Sequence, residues 1–248
     1  MEFTALSVGA ADRIVRLRVQ FLSETSQLAL RSAAGMVVLA SSTLFVPTGA
    51  QAACTVVGTT VQCDTTSTSN TTFATNTPND REYSGNSATP LQLTIDPGAA
   101  VSGFGIAFSN TGAGGVTVTN GGTISVDAGN TPTVGGTAAL SVTAAGGPII
   151  YTGGAITNNG NGNAFDVLQN GAGTVNINIT GAITAATGEG LTVRDTATGG
   201  NISVTTGAVT ALAGGKDGID VQTQSTSANV TIVANGDVKA GNAGIVGA

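Results

Sequence analysis

The sequence predicts an all-β chain wound into a β-solenoid, and three observations carry that prediction. A short phrase built on one leading apolar residue returns at Ile106, Leu140, Phe165, Leu191, Ile219 and Ile245, roughly 25 to 34 residues apart, which is the period of stacked repeat architectures. Within each repeat the residues alternate between apolar and polar, as in Val175-Asn-Ile177-Asn-Ile179, so successive side chains face opposite sides of a strand. Composition agrees: the chain has 37 glycines, 9% charged residues and neither Trp nor His. Small and β-branched residues suit a narrow solenoid, and so few charges would be unusual in a cytosolic enzyme.

Residues 1–52 do not share the pattern. Arg13, Arg16, Arg18 and Arg31 precede an apolar run from Ala33 to Pro47, shorter than the roughly 20 residues a membrane-spanning helix needs. Ala50-Gln51-Ala52 then presents the small-x-small pattern of signal-peptidase cleavage. The segment reads as a signal peptide with an extended n-region, cut between Ala52 and Ala53; an uncleaved anchor is the alternative. The unusual length before Arg31 fits an extended n-region or an initiation site assigned too far upstream. Without the leader, Arg81, Arg194, Lys216 and Lys239 oppose eleven acids, a net charge of about −7. Nucleic acid and anionic membrane surfaces are therefore not expected partners.

Cys54 and Cys63 are the only cysteines, and export would place them in an oxidising compartment. Between them two β-prone runs flank Gly58, which predicts a hairpin whose arms a disulfide closes. A lipid anchor on Cys54 is disfavoured, because Gln51 stands where that signal needs Leu. Residues 64–90 are rich in Thr, Ser, Asn and Pro, so 53–90 read as an N-terminal hairpin or cap followed by a connector.

The solenoid proper is assigned to residues 91–248, about five coils. It begins at the alternating Leu91-Gln-Leu93-Thr-Ile95, followed by the Asp96-Pro97-Gly98 turn. After each leading residue comes a second run, at Val116–Val118, Ile149–Tyr151, Val175–Ile179, Ile202–Val204 and Val230–Ile232. A glycine with a β-branched residue two places on marks a third run: Gly122/Ile124, Gly154/Ile156, Gly181/Ile183, Gly207/Val209 and Gly236/Val238. Gly-Gly and Asn-Gly steps supply the positive φ of sharp corners. Three short strands and three corners make one coil, and coils must stack because none can cover its own open faces. At about 4.8 Å per strand spacing, five coils form a rod of roughly 25 Å. The last coil opens at Gly244-Ile245-Val246 and stops before its second and third strands, so the chain reads as the front piece of something longer.

Chemistry is constrained by the missing histidine. No Ser-His-Asp or Cys-His arrangement can be built, imidazole metal sites are likewise ruled out, and no cofactor is predicted. Asp166 and Asp220 share one outward position two coils apart, roughly 9 to 10 Å, near the upper limit for an inverting glycosidase pair. Thr192 lies between them and no aromatic platform is near, so the column is read as a solvated face. Asn163, Glu189 and Asp217 form a second column, each two residues before a leading apolar residue. Like charges there repel, and a hard cation could relieve them. Gly214 to Asp220 only partly resembles a calcium-binding nonapeptide, so a hydrated turn is preferred and weak calcium binding near Glu189 and Asp217 is the alternative.

The Arg-containing leader, the Ala-Cys-Thr-Val-Val-Gly-Thr-Thr-Val-Gln-Cys opening and the Gly-x-Ile coils together resemble the N-terminal passenger region of a Gram-negative autotransporter, the type V secretion family. The resemblance implies a right-handed parallel β-helix at the cell surface or outer membrane, or secreted, with a stalk or adhesin role; the non-enzymatic reading comes from the missing histidine and the solvated carboxylate column. It implies an outer-membrane translocator barrel as partner, which this sequence does not contain, and a host or neighbouring cell surface as target. A secreted β-helix enzyme acting on polysaccharide is the alternative.

Overall fold

A computed structural model describes residues 53–64, 82–132, 138–197 and 199–247. The expected leader, with Ala52 of its cleavage bond, and connector residues 65–81 lie outside the described residues; Ala53 opens the first strand.

The chain enters through a hairpin of β1 (Ala53–Val57) and β2 (Thr60–Asp64), paired antiparallel. Gly58 turns it at a φ of 61°, a conformation that glycine adopts without strain. A disulfide joins Cys54 to Cys63, directly opposite each other in the register. Six turns follow. The first is β3 (Glu82–Gly85), β4 (Leu91–Ile95) and β5 (Ala100–Val101); the second is β6 (Ile106–Asn110) and β7 (Val116–Val126). The third comprises β8 (Ala138–Ala144) and β9 (Ile149–Asn158), the fourth β10 (Asn163–Gln169), β11 (Val175–Ile179) and β12 (Ile183–Ala185). The fifth holds β13 (Leu191–Asp195), β14 (Ile202–Thr206) and β15 (Val209–Ala211), the sixth β16 (Ile219–Thr223), β17 (Val230–Ala234) and β18 (Val238–Ala240); β19 (Ile245–Gly247) opens one more. No helix occurs among the described residues.

Strands from successive turns pair in parallel into two sheets. The leading strands form a seven-stranded sheet in the order β19-β16-β13-β10-β8-β6-β3, and the other runs form a twelve-stranded sheet on the path β1-β2-β4-β7-β9-β11-β14-β17. The expected column is met in register: Ile106 pairs with Leu140, Leu140 with Phe165, Phe165 with Leu191, Leu191 with Ile219 and Ile219 with Ile245. In the second and third turns, the second and third runs are one continuous strand, bent where the register shifts between Asn120 and Thr123. The additional turn arises at β3, which pairs with β6. Its inward residue is Tyr83, stacked on Phe108 at 5.3 Å, with its hydroxyl donating to the Gly58 carbonyl at 3.0 Å. That strand lacks the Leu or Ile that marks the later ones.

Inward residues make one continuous core from Cys54 and Val61 to Val221. Tyr151 and Phe165 fill its centre with ring centroids 4.9 Å apart. A polar column closes one corner. Asn110, Gln169 and Asp195 end their strands two residues after an inward apolar residue, and all are buried. Asn110 donates to the Gly115 carbonyl at 3.0 Å and accepts from Gly112 N–H at 2.9 Å; Gln169 donates to the Gly147 carbonyl at 2.9 Å and accepts from Gly171 N–H at 3.0 Å. Asp195 accepts from Ala197 N–H at 3.1 Å. These side chains satisfy turn backbone groups that would otherwise be buried without partners.

Candidate functional site

The outward side of the seven-stranded sheet carries the most concentrated charge. From β8 to β16 the first and third residues after the leading apolar residue face outward, and parallel stacking turns sequence neighbours some 26 residues apart into spatial ones. Ser141, Asp166, Thr192 and Asp220 thus form consecutive rungs of one row, and Thr143, Leu168, Arg194 and Gln222 form the next. The turns entering these strands add Asn163, Glu189 and Lys216 to the edge of a recess of about 390 Å³. A smaller recess of about 260 Å³ adjoins it, and Arg194 lines both.

Hydrogen bonds hold the edge of the larger recess in place. The Asn163 amide donates to Asp166 Oδ1 at 2.8 Å and to Thr192 Oγ1 at 3.3 Å, while its oxygen accepts from the Glu189 N–H at 2.8 Å. Thr192 in turn donates to Glu189 Oε2 at 2.9 Å. One rung further, Gln222 donates to both Asp220 oxygens at 2.9 and 3.2 Å.

The expectation of a fully solvated column is corrected here. Thr192 is only 4% exposed and Asp220 only 5%, with Asp166 half-buried. Burial pushes both carboxyls above the ordinary value of 3.8. At Asp166 the bonds from Asn163 and Thr192 and the Arg194 charge work against that rise, and Glu189 adds to it. At Asp220 the Gln222 bond and Arg194 oppose burial, whereas Glu189 and Asp217 reinforce it. Alternation identifies an outward face; it does not say how deeply neighbouring turns cover that face.

The two sequence-predicted columns meet through the bonds that Asn163 and Thr192 make to Asp166 and Glu189. Asp220 does not line the larger recess, and burial moves Asp166 and Asp220 in the same direction. Glu189 and Asp217 are also engaged: Asp217 Oδ1 accepts from Asn242 at 2.8 Å and from the Ala243 N–H at 3.0 Å. Among the described residues no group of three or more acidic, Cys or His side chains is placed to hold a metal ion. Arg194 and Lys216 were not singled out from the sequence, although Arg194, two residues after outward Thr192, is legible as outward by period two.

No protein-family model matches the chain, and no curated protein or solved structure matches it either.

Proposed function

We propose that this chain is the β-helical passenger region of a Gram-negative autotransporter, displayed on the cell surface as a stalk with an adhesive role. The observation that carries the reading is the unbroken parallel ladder of six turns behind a disulfide-closed hairpin. A rod of this kind extends by repeating one coil, each turn bonding only to its neighbours. Its outward rows are mainly Thr, Ser and Asn, as at Thr117, Asn176, Asn178 and Ser203, which keep it hydrated at low charge. The leader read at residues 1–52 and the cystine both suit export. A binding role is favoured over polysaccharide hydrolysis, because the carboxylates of the recess are tied to one another through Asn163 and Thr192.

Cell fractionation tests the proposal. The complete gene product, expressed in a Gram-negative host, should expose the rod to protease and antibody on intact cells and should raise adhesion to other cells. Retention of the rod in the cytosol or periplasm would overturn the reading.

A further inference from the structure

We propose that the recess beside Arg194 binds a neutral, hydroxyl-rich saccharide through Asp166, Glu189, Arg194 and Lys216. This names a ligand class for the adhesive reading and rests on it for biological meaning, but the site itself is a property of the fold.

Acceptors and donors line one recess without cancelling each other. Asp166 and Glu189 supply carboxylates while Arg194 and Lys216 supply cations, and neither cation is held in an ion pair among the described residues. A carboxylate only accepts and a guanidinium or ammonium only donates. A hydroxyl does both, so vicinal hydroxyls can donate to the acids and accept from the bases at once. An anionic ligand meets Asp166 and Glu189 with Asp217 and Asp220 close behind, and a cationic one meets Arg194 and Lys216. A purely apolar ligand finds little beyond Val167 and Leu168.

The site is also preorganised and large enough. Asn163 and Thr192 hold the two carboxylates in place, so little side-chain freedom remains to be lost on binding. The volume of about 390 Å³ lies inside the range of roughly 300 to 1,000 Å³ common to small-ligand sites. The adjoining recess of about 260 Å³ across Arg194 gives room for a second ring. With no aromatic side chain in either lining, affinity rests on hydrogen bonds alone, which places the dissociation constant on the order of 1 mM. Display of many copies on one surface would raise the effective strength by multivalency.

The test is a titration of the full chain, isolated from an exporting host, with a panel of neutral mono- to tetrasaccharides, followed by NMR. Shifts should be confined to β8, β10, β13, β16 and the turns that enter them. Arg194→Gln and Asp166→Asn should each weaken binding at least about tenfold, while Asn176→Gln, on the other sheet, should bind as the parent does. Arg194 is exposed and makes no ion pair among the described residues, so its variant should keep the parental melting temperature and decides the matter if Asp166→Asn folds poorly. Absence of shifts with every neutral saccharide, a response only to sulfated or carboxylated ones, or parental affinity in Arg194→Gln would overturn the proposal. Failure of surface display would leave this titration unaffected, and a negative titration would leave display unaffected.

Discussion

Positions 191 and 192 are neighbours in the chain but lie in different surroundings. Leu191 is fully buried between Phe165 and Ile219, so Leu191→Asp places an unpaired carboxylate in the core and should cost more than about 4 kcal/mol. Thr192 stands between Asp166 and Asp220. Thr192→Asp therefore puts three carboxylates on consecutive rungs, loses the bond to Glu189, and should cost about 1 to 3 kcal/mol near neutral pH. Asp166 and Asp220 have folded values above 3.8, so the folded chain takes up their protons first and the repulsion fades as pH falls through those values. Thermal melts at about pH 7 and about pH 4 should show the Thr192→Asp deficit shrinking and the Leu191→Asp deficit remaining the larger; equal deficits would contradict the inward and outward assignment. Tyr151 supplies an alkaline counterpart. Its hydroxyl accepts from Asn120 at 2.9 Å and donates to the Gly154 carbonyl at 3.3 Å. Burial pushes it from 10.0 up to about 12, against a smaller lowering by Asn120. The stability linked to this proton is complete below the unfolded value of 10.0 and is lost as pH rises toward about 12. A tyrosinate absorbance titration should show that late step, and Tyr151→Phe should abolish it while leaving the buried Asn120 amide short of a partner, at a cost of about 1 to 3 kcal/mol. A Tyr151 step at the ordinary value would mean that the phenol is not buried.

Turns between strands decide how closely one coil can approach the next. A Cβ built on Gly173 would run into the backbone carbonyl of Gly147 in the preceding turn, whereas one built on Gly214 meets nothing within 4 Å. Neither position has a positive φ, so the difference is one of space and not of backbone strain. Gly173→Ala must push two coils apart beside Gln169, whose side chain donates to the same Gly147 carbonyl. We expect Gly173→Ala to cost about 1 to 3 kcal/mol and Gly214→Ala to stay within about 0.5 kcal/mol of the parent, as read from denaturant unfolding. Similar effects at the two sites would place Gly173 in an open turn. The corner column reads the same way: Asn110, Gln169 and Asp195 look like ordinary polar residues until period two is carried past Phe108, Val167 and Val193, which turns each of them inward.

Because each turn bonds only to adjacent turns, damage should stay local in the whole molecule. The Cys54–Cys63 bridge closes the hairpin whose β2 lies on β4, and a loop this short contributes about 2 to 3 kcal/mol by chain entropy. Replacing both cysteines by Ala should speed amide exchange in β1, β2 and β4 while β10 to β14 keep their protection. Exchange that rises evenly along the rod would show one cooperative unit in place of a nearest-neighbour stack.

The repeat, the inward column from Ile106 to Ile245 and the disulfide-closed hairpin were all determined by the sequence alone. Their causes are local: the pleat fixes which side a residue faces, and equal spacing brings equivalent residues into register. The turn begun by β3 escaped that reading because Tyr83 stands in the column of Phe108 and Val142, and the residue two places before it in the sequence is Arg81, where the later repeats carry Leu, Ile or Phe. Only the tertiary structure decided that Thr192 and Asp220 are covered, that their row and the turn residues share one recess, and that Arg194 and Lys216 stand in it beside Asp166 and Glu189. Depth and local field depend on side chains one coil away, contributed by residues distant in sequence. Alternation within a single strand carries no information about them.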